Sequence, residues 1–294
     1  MDEPRYTLIQ ISDPHVEDEG AVGRYGADTA AGLRLALRRL EESAVRPDAV
    51  LVTGDLTENG TPAEYRRFRS VVEPVAARLA VPFAYAMGNH DDRAALRAVL
   101  LGDGSGSTDP LFHVLRVRGL RIVVLDSSVP GLAHGELSGG QLDLLRAELA
   151  EPARDGTVLV LHHPPLPSAL PVTAAIGLRG RAALGQVLAG TDVRIVLAGH
   201  THVVSAGTLV GIPVWTPGAL ASTSDSLPPA TAGTRLVAAP SVARIDLFDD
   251  SLLATAVPLD GRTIAEVDPE TTARIVRRLR AEPTTGAEPE VRTG

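Results

Sequence analysis

Five short apolar runs in this chain each end on residues able to bind a metal ion. Residues 6–11 lead to Asp13 and His15, 49–53 to Gly54 and Asp55, and 83–87 to Gly88, Asn89, His90 and Asp91. Residues 158–161 lead to His162 and His163, and 193–198 to Gly199, His200, Thr201 and His202. A lone Asp or His at a strand end more often caps a turn. Five such junctions together, supplying only Asp, Asn and His, read as strand ends converging on one metal centre. In an extended chain, residues two apart project to one side, so Asp13/His15 and His200/His202 each offer a pair of ligands. The glycines ahead of Asp55, Asn89 and His200 suit tight turns against a crowded cluster.

The candidate ligands are Asp13, His15, Asp55, Asn89, His162, His200 and His202. Seven are too many for one tetrahedral site, and they suit two adjacent ions bridged by the two oxygens of a carboxylate. Mixed imidazole and oxygen ligands favour iron, manganese or zinc over calcium or magnesium. Two divalent ions bring four positive charges, of which Asp13 and Asp55 cancel two. The remainder should bind an anion and acidify a bridging water, the two-metal arrangement for attack on a phosphate ester. His90, not needed as a ligand, is placed to donate to a phosphate oxygen or protonate a leaving alkoxide. Asp91 or Asp92 would orient its ring. Of the other histidines, His163 reads as packing beneath the site, His113 as structural, and His134 as a lesser candidate for the pocket wall. Trp215 reads as core.

The elements that must position these residues alternate through the first two hundred positions. Helical spacing of apolar residues covers 27–43, 63–79 (with Pro74 expected to kink or divide it), 91–101, 138–149 and 181–188. Asp91 and Asp92 favour the start of one helix and Ser138 caps another. Strand, helix, strand in repetition argues for a largely parallel sheet. Beyond His202 the runs 203–209, 212–216, 242–248 and 252–257 lack intervening helices and read as antiparallel strands. The Pro-, Ala-, Thr- and Gly-rich stretch 227–239 reads as a loop, 269–280 as a final helix, and the residues from 281 on as a disordered tail.

Composition narrows the function. The chain has 294 residues, 44% hydrophobic and 22% charged, enough for a sizeable α/β core. Net charge is −8 and no basic stripe exists, which argues against a nucleic-acid surface. All 28 basic residues are Arg, so lysine chemistry is excluded. The absence of Cys excludes thiol nucleophiles, disulfides and iron–sulfur ligation. The acidic N-terminus lacks signal-peptide character, and no run approaches the roughly 18–20 apolar residues of a membrane span. Cytoplasmic is the expected location.

The series Asp13-Pro14-His15, Gly54-Asp55, Gly88-Asn89-His90-Asp91, His162 and Gly199-His200-Thr201-His202 resembles the calcineurin-like metallophosphoesterases, over about residues 6–260. The resemblance implies a four-layer αββα sandwich, two mixed β-sheets flanked by helices, around a dinuclear site. It assigns Asp13, His15, Asp55 and His202 to one metal, and Asp55, Asn89, His162 and His200 to the other. Catalysis would rest on His90, Asp55 and Asn89, and substrate contact on Asn89, His90 and His202. A domain over residues 1–262 and a helix with its tail over 263–294 follow.

A closer resemblance is to the bacterial class III branch that hydrolyses cyclic 3′,5′-AMP. It is carried by residues 46–49, 88–93, 125–131, 162–165 and 190–194. That branch uses iron or manganese, with zinc a further candidate, and commonly forms homodimers. The implied function is hydrolysis of cyclic AMP to 5′-AMP through a metal-bridging hydroxide. The runner-up is a broader diesterase acting on 2′,3′-cyclic nucleotides or glycerophosphodiesters. A non-catalytic metal-binding scaffold would show as lost ligands, and none is lost. Serine/threonine phosphatases carry Asp-Arg-Gly where this chain reads Leu56-Thr57-Glu58-Asn59-Gly60. Pro14 departs from the family pattern, as does the small-residue loop 218–229, which places substrate preference in question more than chemistry.

Overall fold

The computed structural model describes residues 3–21, 28–168 and 170–281. In chain order the elements are β1 (Tyr6–Ile11), α1 (Thr29–Glu42), β2 (Ala49–Thr53), α2 (Pro62–Leu79), β3 (Phe83–Ala86), α3 (Arg93–Leu100), β4 (Phe112–Val117), β5 (Leu120–Leu125) and α4 (Gly139–Glu148). There follow β6 (Thr157–Val160), α5 (Pro171–Ala175), α6 (Arg181–Leu188), β7 (Val193–Leu197), β8 (Ser205–Leu209), β9 (Ile212–Thr216), β10 (Thr223–Ser224), β11 (Leu236–Val237), β12 (Ser241–Leu247), β13 (Leu252–Pro258) and α7 (Pro269–Ala281). Contacts divide the chain into Met1–Asp260 and Gly261–Gly294, the second containing α7. Among the described residues no helix is long and apolar enough to cross a membrane.

The first unit is built on two mixed sheets, ordered β13-β12-β1-β2-β3 and β4-β5-β6-β7-β9-β8. Strands β1, β2, β5 and β6 are buried along their whole length, hence their continuous apolar runs rather than alternation. Successive residues of each still face opposite ways. Leu8 and Leu51 join Ile122, Val158 and Leu197 in a core between the sheets. Ile9, Ile11, Val50 and Val52 pack outward under Leu33 of α1, Phe68 of α2 and Leu96 of α3. On the other side Val123, Leu159 and Val196 pack under Leu145 of α4 and Leu184 of α6. The order helix, sheet, sheet, helix is the four-layer sandwich.

Helix starts follow the local sequence. Asp28, Thr61, Asp92 and Ser138 cap α1, α2, α3 and α4 with their side chains, and Thr61/Glu64 and Ser138/Gln141 form full capping boxes. The parallel register pairs Ile11 with Val52 and Thr53 with Ala86 in one sheet, and Val160 with Leu197 in the other. The carboxyl ends of β1, β2 and β3 therefore finish close together in one sheet, as do those of β6 and β7 in the other.

Several expectations are corrected. Pro74 does not divide α2, which runs from Pro62 to Leu79 with Pro74 on its exposed side. Strands β8 and β9 pair antiparallel as expected, but β9 also pairs parallel with β7 and so joins the couple to the central strands. The β4–β5 hairpin and α5 were not among the expected elements. The stretch 227–239 is not wholly loop, since Leu236–Val237 pairs with Thr223–Ser224. Residue 27, expected to open α1, and nearly all of the expected tail lie outside the described residues.

Leu51 lies in the core between the sheets and is fully buried. Leu51→Ala is expected to cost about 2–5 kcal/mol, read from the urea midpoint. A loss below about 1 kcal/mol would contradict a shared core.

Candidate metal centre

All seven expected ligands arrive at one place, but not by the extended geometry their spacing suggests. Asp13, His15, Asp55, His200 and His202 have φ of 50°, 44°, 49°, 69° and 55°, five of the eight non-glycine residues with positive φ among those described. Each is a left-handed corner, a conformation that costs free energy and clusters at functional sites. Backbone bonds hold the corners: Asp13 N donates to Gly54 O, His15 N to Asp55 O, and Val16 N to Leu56 O. Three glycines permit the crowding. A Cβ on Gly54 would stand 2.3 Å from His162 Nδ1, on Gly88 2.1 Å from Asp55 Oδ1, and on Gly199 2.1 Å from Ser12 Oγ.

Hydrogen bonds fix which atoms face the centre. His162 Nδ1 lies 2.7 Å from Thr53 O, and a carbonyl can only accept, so Nε2 carries the lone pair. That Nε2 is buried without a hydrogen bond and lies 3.2 Å from Asp55 Oδ2. His15 Nδ1 lies 2.7 Å from the Glu58 carboxylate, which turns its Nε2 to within 3.2 Å of His202 Nε2 and 3.6 Å of Asp55 Oδ2. His202 Nδ1 is 3.1 Å from Ser222 Oγ, and its Nε2 is 3.5 Å from Asp13 Oδ1. His200 commits Nε2 to Ile176 O at 2.9 Å, leaving Nδ1 available. Asn89 Oδ1 is a further buried oxygen without a partner.

Lone pairs thus meet lone pairs and carboxylates at close range, an arrangement that requires positive charge between them. The residues present therefore fit a metal centre, and groups such as Asp13, His15 and His202, or Asp13, Asp55 and His162, bring their ligand atoms within 4.8 Å of one another. Asp55 Oδ1 accepts the His90 N–H at 2.9 Å, and Oδ2 stands 3.6 Å from His15 Nε2 and 3.2 Å from His162 Nε2.

Charges follow from the same packing. Burial opposes ionisation of Asp13, but the His202 charge and hydrogen bond outweigh it and bring the carboxyl to about 2. Burial likewise opposes ionisation of Asp55, and His162 holds it well below the ordinary carboxylate range. His162 is pushed down by burial yet lifted further by Asp55 and Asp13, to about 9. His200 is pushed down to about 4 by burial and the neighbouring His162 charge.

The residues around the ligands divide differently from expectation. Neither Asp91 nor Asp92 orients His90, whose Nδ1 lies 2.8 Å from Glu58 O. Asp91 instead accepts from Gly88 N, Leu56 N and Tyr65 Oη, tying the third junction to the second. Asp92 caps α3. His163 packs beneath the site, its ring 4.3 Å from that of His200 and its Nδ1 2.9 Å from Ser127 Oγ. His134 is half-buried and does not line the cavity, although Ala133 does. Trp215 packs against the core between the sheets. Glu58, Ser222 and the Ile176 carbonyl escaped sequence reasoning. Only Glu58 left a signal, in the departure from Asp-Arg-Gly after Asp55.

The centre floors a cavity of ≈ 280 Å³. His15, Asp55, Asn89, His90, His200 and His202 line it, and Leu170, Val172, Ile176 and Leu236 add an apolar wall.

The family model for calcineurin-like phosphoesterases matches residues 6–204, and the chain belongs to that family. A cAMP/cGMP dual specificity phosphodiesterase of Mycobacterium tuberculosis is 47% identical over 261 residues, covering 88% of this chain and 81% of that protein. A 3′,5′-cyclic adenosine monophosphate phosphodiesterase of Pseudomonas aeruginosa is 32% identical, covering 90% and 93%. The fold matches a dimetal phosphatase from Danio rerio with TM-score 0.64 at 17% identity, covering 87% of this chain and 97% of that one.

In the metal-free protein the His162 pKa of about 9 means that a proton occupies the place of a cation near neutral pH. Loading manganese is therefore expected to release about one proton from this histidine, read by calorimetry in buffers of different ionisation enthalpy. The sign for stability is opposite to that of a depressed carboxylate. Because the folded pKa lies above the ordinary histidine value of 6.5, this contribution to metal-free stability is complete below pH 6.5 and is lost as pH rises through about 9. Manganese affinity that does not change between about pH 6 and 9 would contradict the assignment.

Proposed function

We propose that the chain is a cyclic-nucleotide phosphodiesterase that hydrolyses 3′,5′-cyclic AMP to 5′-AMP with two transition-metal ions, iron or manganese with zinc a further candidate. Asp13, His15, Asp55 and His202 would hold one ion, and Asp55, Asn89, His162 and His200 the other. Bound there, the ions supply charge for a phosphate anion and acidify water. The observation that carries the reading is the set of lone pairs turned inward without partners, His162 Nε2 and Asn89 Oδ1 above all. The names of the two relatives support the cyclic-nucleotide substrate. We assign the activity to residues 1–262 and leave 263–294 outside it.

The chain's own residues account for the remaining steps. Hydrolysis forms one phosphorus–oxygen bond from water and breaks the bond to the 3′ oxygen. His90 lines the cavity with Nδ1 held on Glu58 O, so its Nε2 is the atom free to act. Protonated there, it gives its proton to the departing 3′ oxygen and recovers one from the water consumed. The His90 N–H bond to Asp55 ties this acid to the ligand set, so the two cannot drift apart. The apolar wall accepts the base and ribose and keeps bulk water from the phosphate end.

Purified, manganese-loaded protein is expected to convert 3′,5′-cyclic AMP faster than 2′,3′-cyclic AMP or a glycerophosphodiester. Preference for the glycerophosphodiester would overturn the substrate, and failure on all three would overturn the activity. His90→Ala should lower kcat by about 10²–10⁴-fold while elemental analysis still finds both ions. Asn89→Ala should lower kcat and also empty one site; full occupancy would remove Asn89 from the ligand set.

A further inference from the structure

One polar side chain is buried where the fold calls for an apolar one. Gln10 is fully buried in β1, two residues beyond Leu8 and so on the same face, the face that Leu8 turns to the core between the sheets. Its Oε1 is buried without a hydrogen bond, which costs free energy, and the chemistry above makes no use of it. Its Nε2 donates to Ala198 O at 2.9 Å, just past β7 of the other sheet, and to Thr53 Oγ1 at 3.2 Å. A carbonyl can only accept, so the amide cannot be reversed.

From Gln10 the bonds run toward the centre. The Thr53 hydroxyl donates to Ser12 Oγ at 2.7 Å, with Ile11 O more distant at 3.3 Å, and the Ser12 hydroxyl donates to Asp13 Oδ2. A carboxylate also only accepts, so each hydroxyl takes one bond and passes on the next in a single direction. The His200 N–H is 3.1 Å from both Asp13 oxygens and does not distinguish them. Ser12 does. With Oδ2 engaged, Oδ1 is the oxygen 3.5 Å from His202 Nε2 and 4.0 Å from His162 Nε2.

We propose that Gln10, Thr53 and Ser12 are positioning residues, a one-way relay of hydrogen bonds that commits Asp13 Oδ2 and presents Oδ1 alone to the ion that Asp13 holds. The inference rests on the metal-centre reading above and adds to it what orients this ligand. Thr53 separates two roles within one residue. Its carbonyl holds His162 Nδ1 at 2.7 Å, while its hydroxyl serves Asp13. Thr53→Val keeps the shape and the carbonyl and removes only the hydroxyl.

The test titrates manganese by calorimetry into metal-free wild type, Ser12→Ala, Thr53→Val and Thr53→Ser, with urea midpoints measured before metal is added. Wild type is expected to bind two ions. Ser12→Ala and Thr53→Val should weaken one of them about 10–100-fold, the usual effect of losing a partner behind a ligand, and the other far less. Thr53→Ser, which restores the hydroxyl, should bind as wild type does. A purely structural role would lower the urea midpoints and leave both affinities of the folded protein in place, and that result overturns the proposal. Equal weakening in Thr53→Val and Thr53→Ser overturns it too, because the methyl group would then be what matters. If Ser12→Ala or Thr53→Val does not fold, the other decides; if neither folds, the relay serves the core and the proposal falls. A wild type that binds no manganese would defeat the metal-centre reading itself, whereas two ions bound alike by wild type and variants would defeat only the relay.

Discussion

The structure turns on one electrostatic constraint: the inward nitrogen lone pairs of His15 and His162 are directed at other acceptors. Their Nδ1 atoms are committed to a carboxylate and a carbonyl, so neither ring can turn its proton inward to relieve the contact. A buried acceptor facing acceptors is costly unless positive charge lies between them. In the absence of a metal, protons serve, which is why His162 is lifted to about 9 although it is completely buried. Metal ions serve better, since each can satisfy several of these atoms at once.

Much of the surrounding architecture keeps those atoms from relaxing away. The left-handed corners at Asp13, His15, Asp55, His200 and His202 turn the chain back on itself immediately after a strand. Such corners persist only where the neighbouring structure over-determines them. Here the strands of both sheets are anchored on both faces by a core between the sheets and one outside each. Glycines at 54, 88 and 199 stand where any side chain would strike a ligand or the residue beside one. A rigid sandwich thus carries strained loops, the usual division between scaffold and site.

The same constraint shapes the proposed chemistry. Asp55 shares its oxygens between the His90 backbone and the centre, so the acid and the ligands move as one body. Glu58 joins them through its side chain to His15 and through its carbonyl to His90. One loop residue therefore fixes the tautomers of two histidines.

The candidate ligands that meet in the structure were legible in the sequence because metal chemistry needs particular side chains, and each junction is written within a few consecutive residues. The central strands were legible for a similar local reason, being continuous apolar runs bounded by Gly, Asp or Pro. The tertiary structure decided what lies between distant positions. Glu58 is 43 residues from His15 and Ser222 is 20 from His202, and nothing in either local pattern marks them as partners. It also replaced the extended arrangement read from the Asp-x-His and His-x-His spacings with left-handed corners, because backbone bonds to neighbouring loops select a conformation that spacing alone cannot specify. Composition and periodicity named the candidate ligands and the strands because those are properties of short segments. Orientation, tautomer and charge belong to contacts, and contacts exist only once the two sheets have closed on each other.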